Sequence, residues 1–511
     1  MPAKTIMVQG TGSDVGKSIL VCALCRIFHQ EGLKVAPFKS QNMSLNSYVT
    51  PDGREMGRAQ VAQAEAAGLQ PMVEMNPILL KPTGNNGSQV ITMGRPLRNM
   101  KANEYYENKN SMLEIARKAF ETLEEQFDAV VIEGAGSPAE INLKDNDIVN
   151  MKMAEIADAP VLLVSDIERG GAFAWIVGTL DLLNEDERKR ICGVIINKFR
   201  GDMEILKPGI DMLEKKINKP VLGVIPYFDD IKIDNEDSVC LNNINSKLET
   251  KDYESSRKII DIAVIRFPRI SNFTDFDLLK RERDVRLRFI DKVESFGEPD
   301  LIILPGTKNT IGDLKFIKEN GIAETIIDRG KRGAVVVGIC GGYQMLGKEI
   351  KDPENAESNM YRIDGLGLLN VTTTFMTEKS TYQVKARMNA GNMFNVKCDM
   401  AGYEIHMGET MLSTGVLPFL KIVERSGNQV SLADGAISND GNVMGTYLHG
   451  IFDNDEFRLG IINYLRRAKG LSPLLHDELL IAKREKEKHF DKLADLIRKH
   501  VNMEYVFNLI S

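Results

Sequence analysis

The stretch that most constrains the fold of this chain is the run of residues 334–347, which reads AVVVGICGGYQMLG. Its first four residues are apolar and mostly β-branched, which is typical of a buried strand in a parallel sheet. Gly338, Gly341 and Gly342 then surround Cys340, and small residues allow the backbone to turn sharply before a helix begins. The pattern predicts a strand–turn–helix unit that holds the sulfur of Cys340 in a strained, exposed position at the carboxyl edge of a sheet.

A cysteine in that position has a chemical use. The N–H groups at the start of the following helix favour a thiolate and can also stabilise an oxyanion. The alternative interpretation is a buried structural cysteine in a glycine-rich turn. The three flanking glycines favour the nucleophile.

A second strand–loop–helix unit lies at the N-terminus. Residues 10–18 read GTGSDVGKS, between a predicted strand at 5–9 and a predicted helix at 19–30. Backbone N–H groups of such a loop cradle phosphates, Lys17 reaches the terminal phosphates, and the Ser18 hydroxyl is suited to Mg²⁺. We expect the nucleotide site to comprise Gly10, Thr11, Gly12, Ser13, Asp14, Val15, Gly16, Lys17 and Ser18.

Polar residues follow three further predicted strands of the N-terminal half. Lys39 ends the strand at 34–38 and can bind a phosphate or a substrate carboxylate. Glu133 follows the buried run 127–132 and can bind Mg²⁺ directly or through water. Asn197 follows the run 191–196. Strands alternating with helices up to the run 221–226 predict a doubly wound parallel sheet.

The C-terminal half contains a candidate base for Cys340. A second α/β unit begins at residues 259–265, and its run 442–450 ends in Leu448-His449-Gly450. A neutral His449 would accept the thiol proton and later protonate a leaving amine. His406 is the rival candidate, since the remaining histidines lie in charged, helix-like surroundings.

The pattern Gly338-x-Cys340-x-Gly342-x-Gln344 resembles the nucleophile motif of class I glutamine amidotransferases. That resemblance implies that Cys340 and His449 hydrolyse L-glutamine, and that an oxyanion and glutamine site forms from Gly306, Thr307, Gly341 and Gln344. One position departs from the family. Its triad Glu would stand two residues after His449, where this chain has Ile451; Asp453 and Glu404 are weak candidates to replace it. We therefore expect a weak resting glutaminase that depends on alignment by substrate.

The N-terminal loop is similar to that of the dethiobiotin synthetase group of ATP-dependent ligases. Gly12 stands where the related partitioning ATPases carry an extra lysine, and residues 133–136 (EGAG) match the ligase motif. This resemblance implies ATP and Mg²⁺ as cofactors, with Ser18 and Glu133 as metal ligands and Asn197 against the adenine.

The two halves together resemble the cobyrinate/cobyric acid synthase family, over nearly the whole chain except the C-terminal tail. Within that family, residues 10–18 and the run 37–47 (PFKSQNMSLNS) are similar to the adenosylcobyric acid synthase group. The resemblance implies a glutamine-hydrolysing ligase of cobalamin biosynthesis. Its substrate would be a corrinoid polycarboxylate, adenosylcobyrinic acid a,c-diamide, amidated at side chains b, d, e and g.

We therefore predict an α/β protein. An N-terminal dethiobiotin-synthetase-like P-loop domain with a doubly wound parallel sheet (1–235) precedes a linker (236–258). A C-terminal class I glutamine amidotransferase α/β domain (259–455) and a helical tail (456–511) follow.

Composition limits the remaining classes. A net charge of −7 without a long basic run disfavours nucleic acid as a partner, and no apolar run approaches membrane-spanning length. The cysteines are scattered, and the CxxC spacing of Cys22 and Cys25 falls inside a predicted helix without a second pair. We expect a cytoplasmic enzyme with reduced thiols, which could form a homo-oligomer.

Two alternatives remain open. One is a related amidoligase, such as the cobyrinic acid a,c-diamide synthase or a cell-wall precursor amidase. The other is a regulatory P-loop ATPase with an inactive amidotransferase-like domain, which would be expected to lack the nucleophile or the base.

Overall fold

The computed structural model describes residues 2–83, 87–234, 260–388, 394, 397–476 and 481–510. They divide into two compact units. The first contains residues 1–44, 56–236 and 485–511, and the second contains 45–55 and 237–484. The division differs from the predicted boundaries in two places, because 45–55 joins the second unit and the predicted tail 456–511 is shared between the units. The predicted linker 236–258 lies outside the described residues.

The strands before residue 234 are short, and those of the central sheet are largely apolar. They are β1 (Lys4–Gly10), β2 (Val35–Phe38), β3 (Gln41–Met43), β4 (Ser47–Val49), β5 (Glu55–Gly57), β6 (Ile78–Pro82), β7 (Gly87–Thr92), β8 (Arg95–Lys101), β9 (Ala129–Glu133), β10 (Val161–Asp166), β11 (Ile191–Phe199) and β12 (Val221–Pro226).

The predicted parallel sheet of the first unit is confirmed. Its order is β12-β11-β10-β1-β9-β2, and every neighbouring pair is parallel. Strands β9 and β10 are buried along their whole length, as expected for central strands covered on both faces. The chain leaves β1 toward β2 on one side and later reaches β10 on the other. The crevice at the carboxyl ends of these strands is therefore where a ligand is expected.

Helices connect these strands. They are α1 (Lys17–Gln30), α2 (Arg58–Ala66), α3 (Ala102–Glu107), α4 (Lys109–Gln126), α5 (Met151–Ile156), α6 (Ala172–Leu182), α7 (Glu185–Arg190) and α8 (Met203–Ile217). The structure also contains a smaller sheet, β3-β6-β7-β8, which the sequence did not predict. Its strands lie between β2 and β9 in the chain. Near the C-terminus, the helices Ala482–His500 and Met503–Leu509 place Phe490, Leu493 and Ile497 in the core of the first unit.

The second unit contains two sheets. Its strands are β13 (Ile260–Ile265), β14 (Val285–Ile290), β15 (Leu301–Leu304), β16 (Val335–Ile339), β17 (Glu349–Lys351), β18 (Arg362–Asp364), β19 (Val371–Met388), β20 (Asp399–Leu412), β21 (Leu420–Arg425), β22 (Asn428–Asp434), β23 (Ala436–Ile437) and β24 (Val443–Thr446). The first sheet, β14-β13-β15-β16-β24-β23, is parallel except at β23. The second runs β18-β17-β19-β21-β22, with β20 paired to β19.

The helices of the second unit are Asp277–Arg281, Thr310–Glu319, Ile322–Lys331, Gly341–Leu346 and Asp455–Ala468. The α/β class predicted for both halves is thus confirmed. Within the described part of the chain, no helix combines the length and the apolar character that crossing a membrane requires.

Candidate active sites

Cys340 occupies a strained turn between β16 and the helix Gly341–Leu346. Its backbone has φ 52° and ψ −109°, a combination that residues with a side chain rarely adopt. Glycine is needed around it, because a Cβ at Gly342 would lie 1.9 Å from the carbonyl oxygen of Leu304. The side chain is less exposed than the sequence predicts. Cys340 is only 8% exposed, and its sulfur lies 3.4 Å from the carbonyl oxygen of Ile405.

His449 interacts with Cys340 on one side and with Asp275 on the other. Its Nδ1 lies 2.7 Å from Oδ2 of Asp275, and both side chains are buried. The other carboxylate oxygen accepts a hydrogen bond of 3.2 Å from the backbone N–H of Gly450. Because an ionised carboxylate only accepts, Nδ1 carries a hydrogen and Nε2 is the nitrogen left for the sulfur.

The charge of His449 follows from these contacts. Burial disfavours the imidazolium and lowers the pKa of His449, but the carboxylate of Asp275 and the hydrogen bond to Cys340 outweigh it. Together they raise the pKa of His449 to about 10. The resting ring is therefore an imidazolium at neutral pH, where the sequence interpretation assumed a neutral base. An imidazolium beside a sulfur stabilises a thiolate, as in other Cys–His pairs.

Asp275 is the functional residue that the sequence interpretation missed. It lies in the short 3₁₀ turn Phe273–Phe276 that follows β13, far before the nucleophile in the chain. Asp275, and neither Asp453 nor Glu404, is the acid at Nδ1 of His449. Glu404 instead forms an ion pair of 2.9 Å with Arg425. Ile451 is fully buried in the core. The sequence pointed to Asp275 only in that it is an acid in the loop after β13, the first strand of the second unit.

His406, the rival base, is held in another way. Its Nδ1 lies 2.8 Å from the carbonyl oxygen of Gly408, and its ring stacks on Tyr447 with centroids 3.8 Å apart. Burial is the main cause that lowers the pKa of His406 to about 4. The ring is therefore neutral and held in place by its neighbours.

The predicted oxyanion residues come together beside the base. A Cβ on Gly341 would lie 3.3 Å from the backbone nitrogen of Thr307, and one on Gly306 would lie 3.0 Å from Cε1 of His449. Gln344 differs from the other three. Its side chain is buried between the hydroxyls of Thr310 and Tyr447, at 3.1 and 3.2 Å, so it fixes the helix after Cys340.

The loop between β1 and α1 is closed by Lys17. Its Nζ donates to the carbonyl oxygens of Gly12 and Gly136, at 2.7 and 3.1 Å. Gly16 has φ 104°, and a Cβ there would collide with the Asn197 side chain at 2.1 Å. Gly10 has little room for a side chain either, since a Cβ there would lie 2.5 Å from the side chain of Val15.

A buried polar cluster surrounds Glu133 at the end of β9. Its Oε1 accepts hydrogen bonds from Ser18 Oγ at 2.7 Å and Lys39 Nζ at 2.9 Å, and its Oε2 accepts one from Gln63 at 2.6 Å. Burial raises the pKa of Glu133, but the Lys39 charge and the hydrogen bonds outweigh burial and lower it. Glu133 is therefore an ionised carboxylate beside the phosphate loop, bonded to Ser18 and Lys39, two of the residues that the sequence singled out.

Asn197 supports the loop from the opposite side. Its Nδ2 donates to the carbonyl oxygen of Val15 at 2.8 Å, and its Oδ1 accepts from the N–H of Lys198 at 2.8 Å. Its side-chain amide is thus committed to the protein, and the contact with adenine stays a prediction.

Family models match both units of the chain. Residues 6–239 match the CobQ/CobB/MinD/ParA nucleotide binding domain, and residues 261–457 match the CobB/CobQ-like glutamine amidotransferase domain. Curated relatives match over nearly the full length. A cobyric acid synthase of Thermoanaerobacter sp. (strain X514) is 52% identical over 99% of both chains, and one of Clostridium botulinum (strain 657 / Type Ba4) is 53% identical over 99% of both. The chain with these two sites belongs to the cobyric acid synthase family of glutamine-hydrolysing ligases.

Proposed function

We propose that this enzyme converts adenosylcobyrinic acid a,c-diamide into adenosylcobyric acid, by amidating the b, d, e and g carboxylates with ATP and glutamine. The observation that carries the proposal is the combination of two sites in one chain. A buried Cys340–His449–Asp275 arrangement can release ammonia, and a phosphate loop beside ionised Glu133 can activate a carboxylate. An inactive regulatory relative would be expected to lack one of these groups.

Glutamine hydrolysis begins with the sulfur of Cys340. The thiolate attacks the side-chain amide carbon of glutamine, and the N–H groups of Thr307 and Gly341 stabilise the oxyanion that results. The imidazolium of His449 gives its Nε2 proton to the departing ammonia. A water molecule, deprotonated by His449, then cleaves the thioester to give glutamate and free Cys340.

Amidation begins at the phosphate loop. A carboxylate oxygen of the corrinoid attacks the γ-phosphorus of ATP, so that an acyl phosphate forms and ADP leaves. Lys17 and the loop N–H groups stabilise the charge on the transferring phosphoryl group. Ammonia then attacks the acyl carbon, phosphate leaves, and the amide remains.

Ser18 and Glu133 fit a bound Mg²⁺. Their oxygens lie 2.7 Å apart, and the carboxylate is ionised, which suits a cation that takes one or two protein oxygens together with phosphates. When bound, Mg²⁺ would neutralise charge on the ATP phosphates. We expect the enzyme to act in the cytoplasm, where Mg²⁺, ATP and glutamine are all present.

The test is amidation of two corrinoids by the purified enzyme with ATP, Mg²⁺ and glutamine, followed by mass spectrometry. We expect up to four amidations of adenosylcobyrinic acid a,c-diamide. Amidation of cobyrinic acid at positions a and c instead would favour the a,c-diamide synthase, and turnover of neither corrinoid would reject the proposal.

A further inference from the structure

The first unit contains a cavity of about 780 Å³ that the two sites described above do not use. Its walls come from the smaller sheet, from α3 and from the loop that follows β9. The volume lies within the range of pockets that enclose cofactor-sized and drug-sized ligands. A free amino acid such as glutamine would fill only part of it.

The cavity opens beside the phosphate loop, on the side of β9. Gly136 lines it, and the carbonyl oxygen of the same residue accepts the hydrogen bond from Lys17. Asn197, which supports the loop from the other side, follows β11, and β11 and β9 lie on opposite sides of β1 in the sheet. A nucleotide with its base toward β11 would point its terminal phosphate toward β9 and the cavity.

The wall of the cavity is largely apolar. Met100, Tyr105 and Leu143 line it, as does Met43. Leu143 is 40% exposed and Met43 is 53% exposed, and apolar side chains that stay open around one concave site are typical of a ligand-binding surface. Glutamine, which is small and polar, does not match such a wall, and ATP is expected at the phosphate loop.

The polar groups of the wall suit amides and carboxylates. Two of the three acids among them are engaged, because Glu187 forms an ion pair of 2.6 Å with Lys144 and Asp147 accepts backbone N–H groups, while Glu140 is exposed. Ser88 and Asn103 add neutral groups at the wall, and Lys101 adds a cation. The surface thus combines an apolar wall with a rim that can bind short polar arms.

We propose that this cavity binds the corrinoid, a large ring with apolar faces and amide and carboxylate arms. The ring lies against Met100, Tyr105 and Leu143, and one carboxylate arm at a time reaches past Gly136 toward Lys17. This proposal rests on the proposed function, because it takes the acceptor of the phosphoryl group to be a corrinoid. It adds the place where the acceptor binds and the residues that select it.

The test uses the full-length enzyme and the variant Leu143→Asp, with Leu182→Asp as a matched control. Leu182 is a similarly exposed leucine of the same unit that does not line the cavity. A carboxylate placed against the ring and its acidic arms should weaken binding of adenosylcobyrinic acid a,c-diamide roughly tenfold or more, measured by titration calorimetry. The Kd for ATP and the basal hydrolysis of glutamine should stay unchanged, and Leu182→Asp should bind the corrinoid like the unaltered enzyme.

A second variant, at another position of the cavity, tests the assignment in case Leu143→Asp disturbs the fold locally. Ser88→Trp fills the cavity from β7, and it should also weaken corrinoid binding while ATP still binds. Citrate serves as a comparison probe, since it carries carboxylates without the ring; binding of citrate as tight as that of the corrinoid would overturn the role of the apolar wall. Unchanged corrinoid binding in both variants, in an enzyme that still amidates it, would overturn the cavity assignment alone. An unaltered enzyme that neither binds nor amidates the corrinoid would overturn the proposed function as well.

Discussion

A buried imidazole works best when one nitrogen is fixed and the other is free to exchange a proton. Asp275 fixes Nδ1 of His449 at 2.7 Å and also accepts the N–H of the next residue, so it holds both the ring and the backbone that carries it. A carboxylate in this position orients the ring and stabilises the imidazolium. The expectation of a weak glutaminase without such a group therefore loses its basis.

The two histidines can be distinguished by substitution. His449→Ala should lower glutamine-dependent amidation on the order of 10²–10⁴-fold, because it removes the proton donor and acceptor. Amidation with ammonium salts should stay near normal. His406→Ala should keep most of the glutamine reaction, since that ring is neutral and bonded to Gly408. The reverse pattern would show that the base is His406.

Asp275→Asn tests the orienting group through the pH profile. The Asp275 carboxylate helps to raise the pKa of His449, and without it only the contacts with Cys340 oppose burial, so the pKa of His449 falls. The imidazolium is then lost at a lower pH. The alkaline limb of kcat/KM for glutamine should move to lower pH, and the rate at neutral pH should fall.

Asp453→Asn is the matched control, because Asp453 is an acid close to His449 in sequence. Its profile should follow that of the unaltered enzyme. An alkaline limb that stays in place in Asp275→Asn would contradict the role assigned to Asp275.

How far each of these residues could be predicted depends on how local its signal is. Cys340 and Lys17 stand in short glycine-rich motifs, in which Gly342 and Gly16 have no room for a side chain, and His449 ends a recognisable run. Asp275 has no such motif, because only the packing of the turn after β13 against the end of β24 brings it to His449. The protonation of His449 could not be predicted either, since it depends on burial and on that distant carboxylate.

At the scale of the element, the turn at Cys340 stores strain. A residue with a side chain held at φ 52° and ψ −109° costs about 1–3 kcal/mol, whereas glycine adopts positive φ freely. Glycine in turn loses about 0.5–1 kcal/mol more backbone entropy on folding. The backbone strain of a residue with a side chain exceeds the entropy cost of glycine, so glycine should be the more stable residue at this position.

Cys340→Gly should therefore be more stable than Cys340→Ala, by about 1 kcal/mol in the free energy of unfolding from denaturant titration. Cys398 offers a control, because it is a buried cysteine that does not have positive φ. There the glycine variant should be the less stable of the pair. Equal stabilities of the two Cys340 variants would mean that the turn is not strained.

The larger elements were predictable where hydrophobic runs and loops alternate regularly, as in the parallel sheets of both units. The mixed sheet with β19 and β20 was not, because those two strands are long, half-exposed and rich in polar residues. Residues 45–55 were read as part of the N-terminal domain for a similar reason. Chain order alone does not reveal that a segment packs with the other unit.

At the scale of the whole molecule, two sites in separate units should fail separately. Cys340→Ser should abolish glutamine-dependent amidation and leave the ammonia-dependent reaction, because the phosphate loop belongs to the other unit. Lys17→Ala should abolish amidation with either nitrogen donor and leave basal glutamine hydrolysis. Both reactions can be followed by ADP release and glutamate formation. Loss of the ammonia-dependent reaction in Cys340→Ser would contradict the separation of the sites.

The chain itself connects these two sites. Lys39, which binds Glu133, belongs to the first unit, and residues 45–55 a few positions later belong to the second. In the second unit, Asn46 accepts a hydrogen bond of 3.2 Å from Thr274, the neighbour of Asp275. The N–H of Ser47 donates to Asn272 at 3.1 Å, in the same turn. A ligand that shifts Lys39 can thus act through this segment on the turn that orients His449.

We therefore expect ATP and the corrinoid together to stimulate glutamine hydrolysis, and Asn46→Ala to weaken that stimulation. The variant removes the acceptor for Thr274 without touching Cys340, His449 or the phosphate loop. Its basal glutaminase and its ammonia-dependent amidation should stay close to normal, so that only the ratio of stimulated to basal glutamate formation falls. Asp52→Ala is the control, because Asp52 lies in the same segment but bonds to its own neighbours Thr50 and Arg54. Full stimulation in Asn46→Ala, or an unaltered enzyme that hydrolyses glutamine equally fast with and without the other substrates, would show that the segment does not carry the signal.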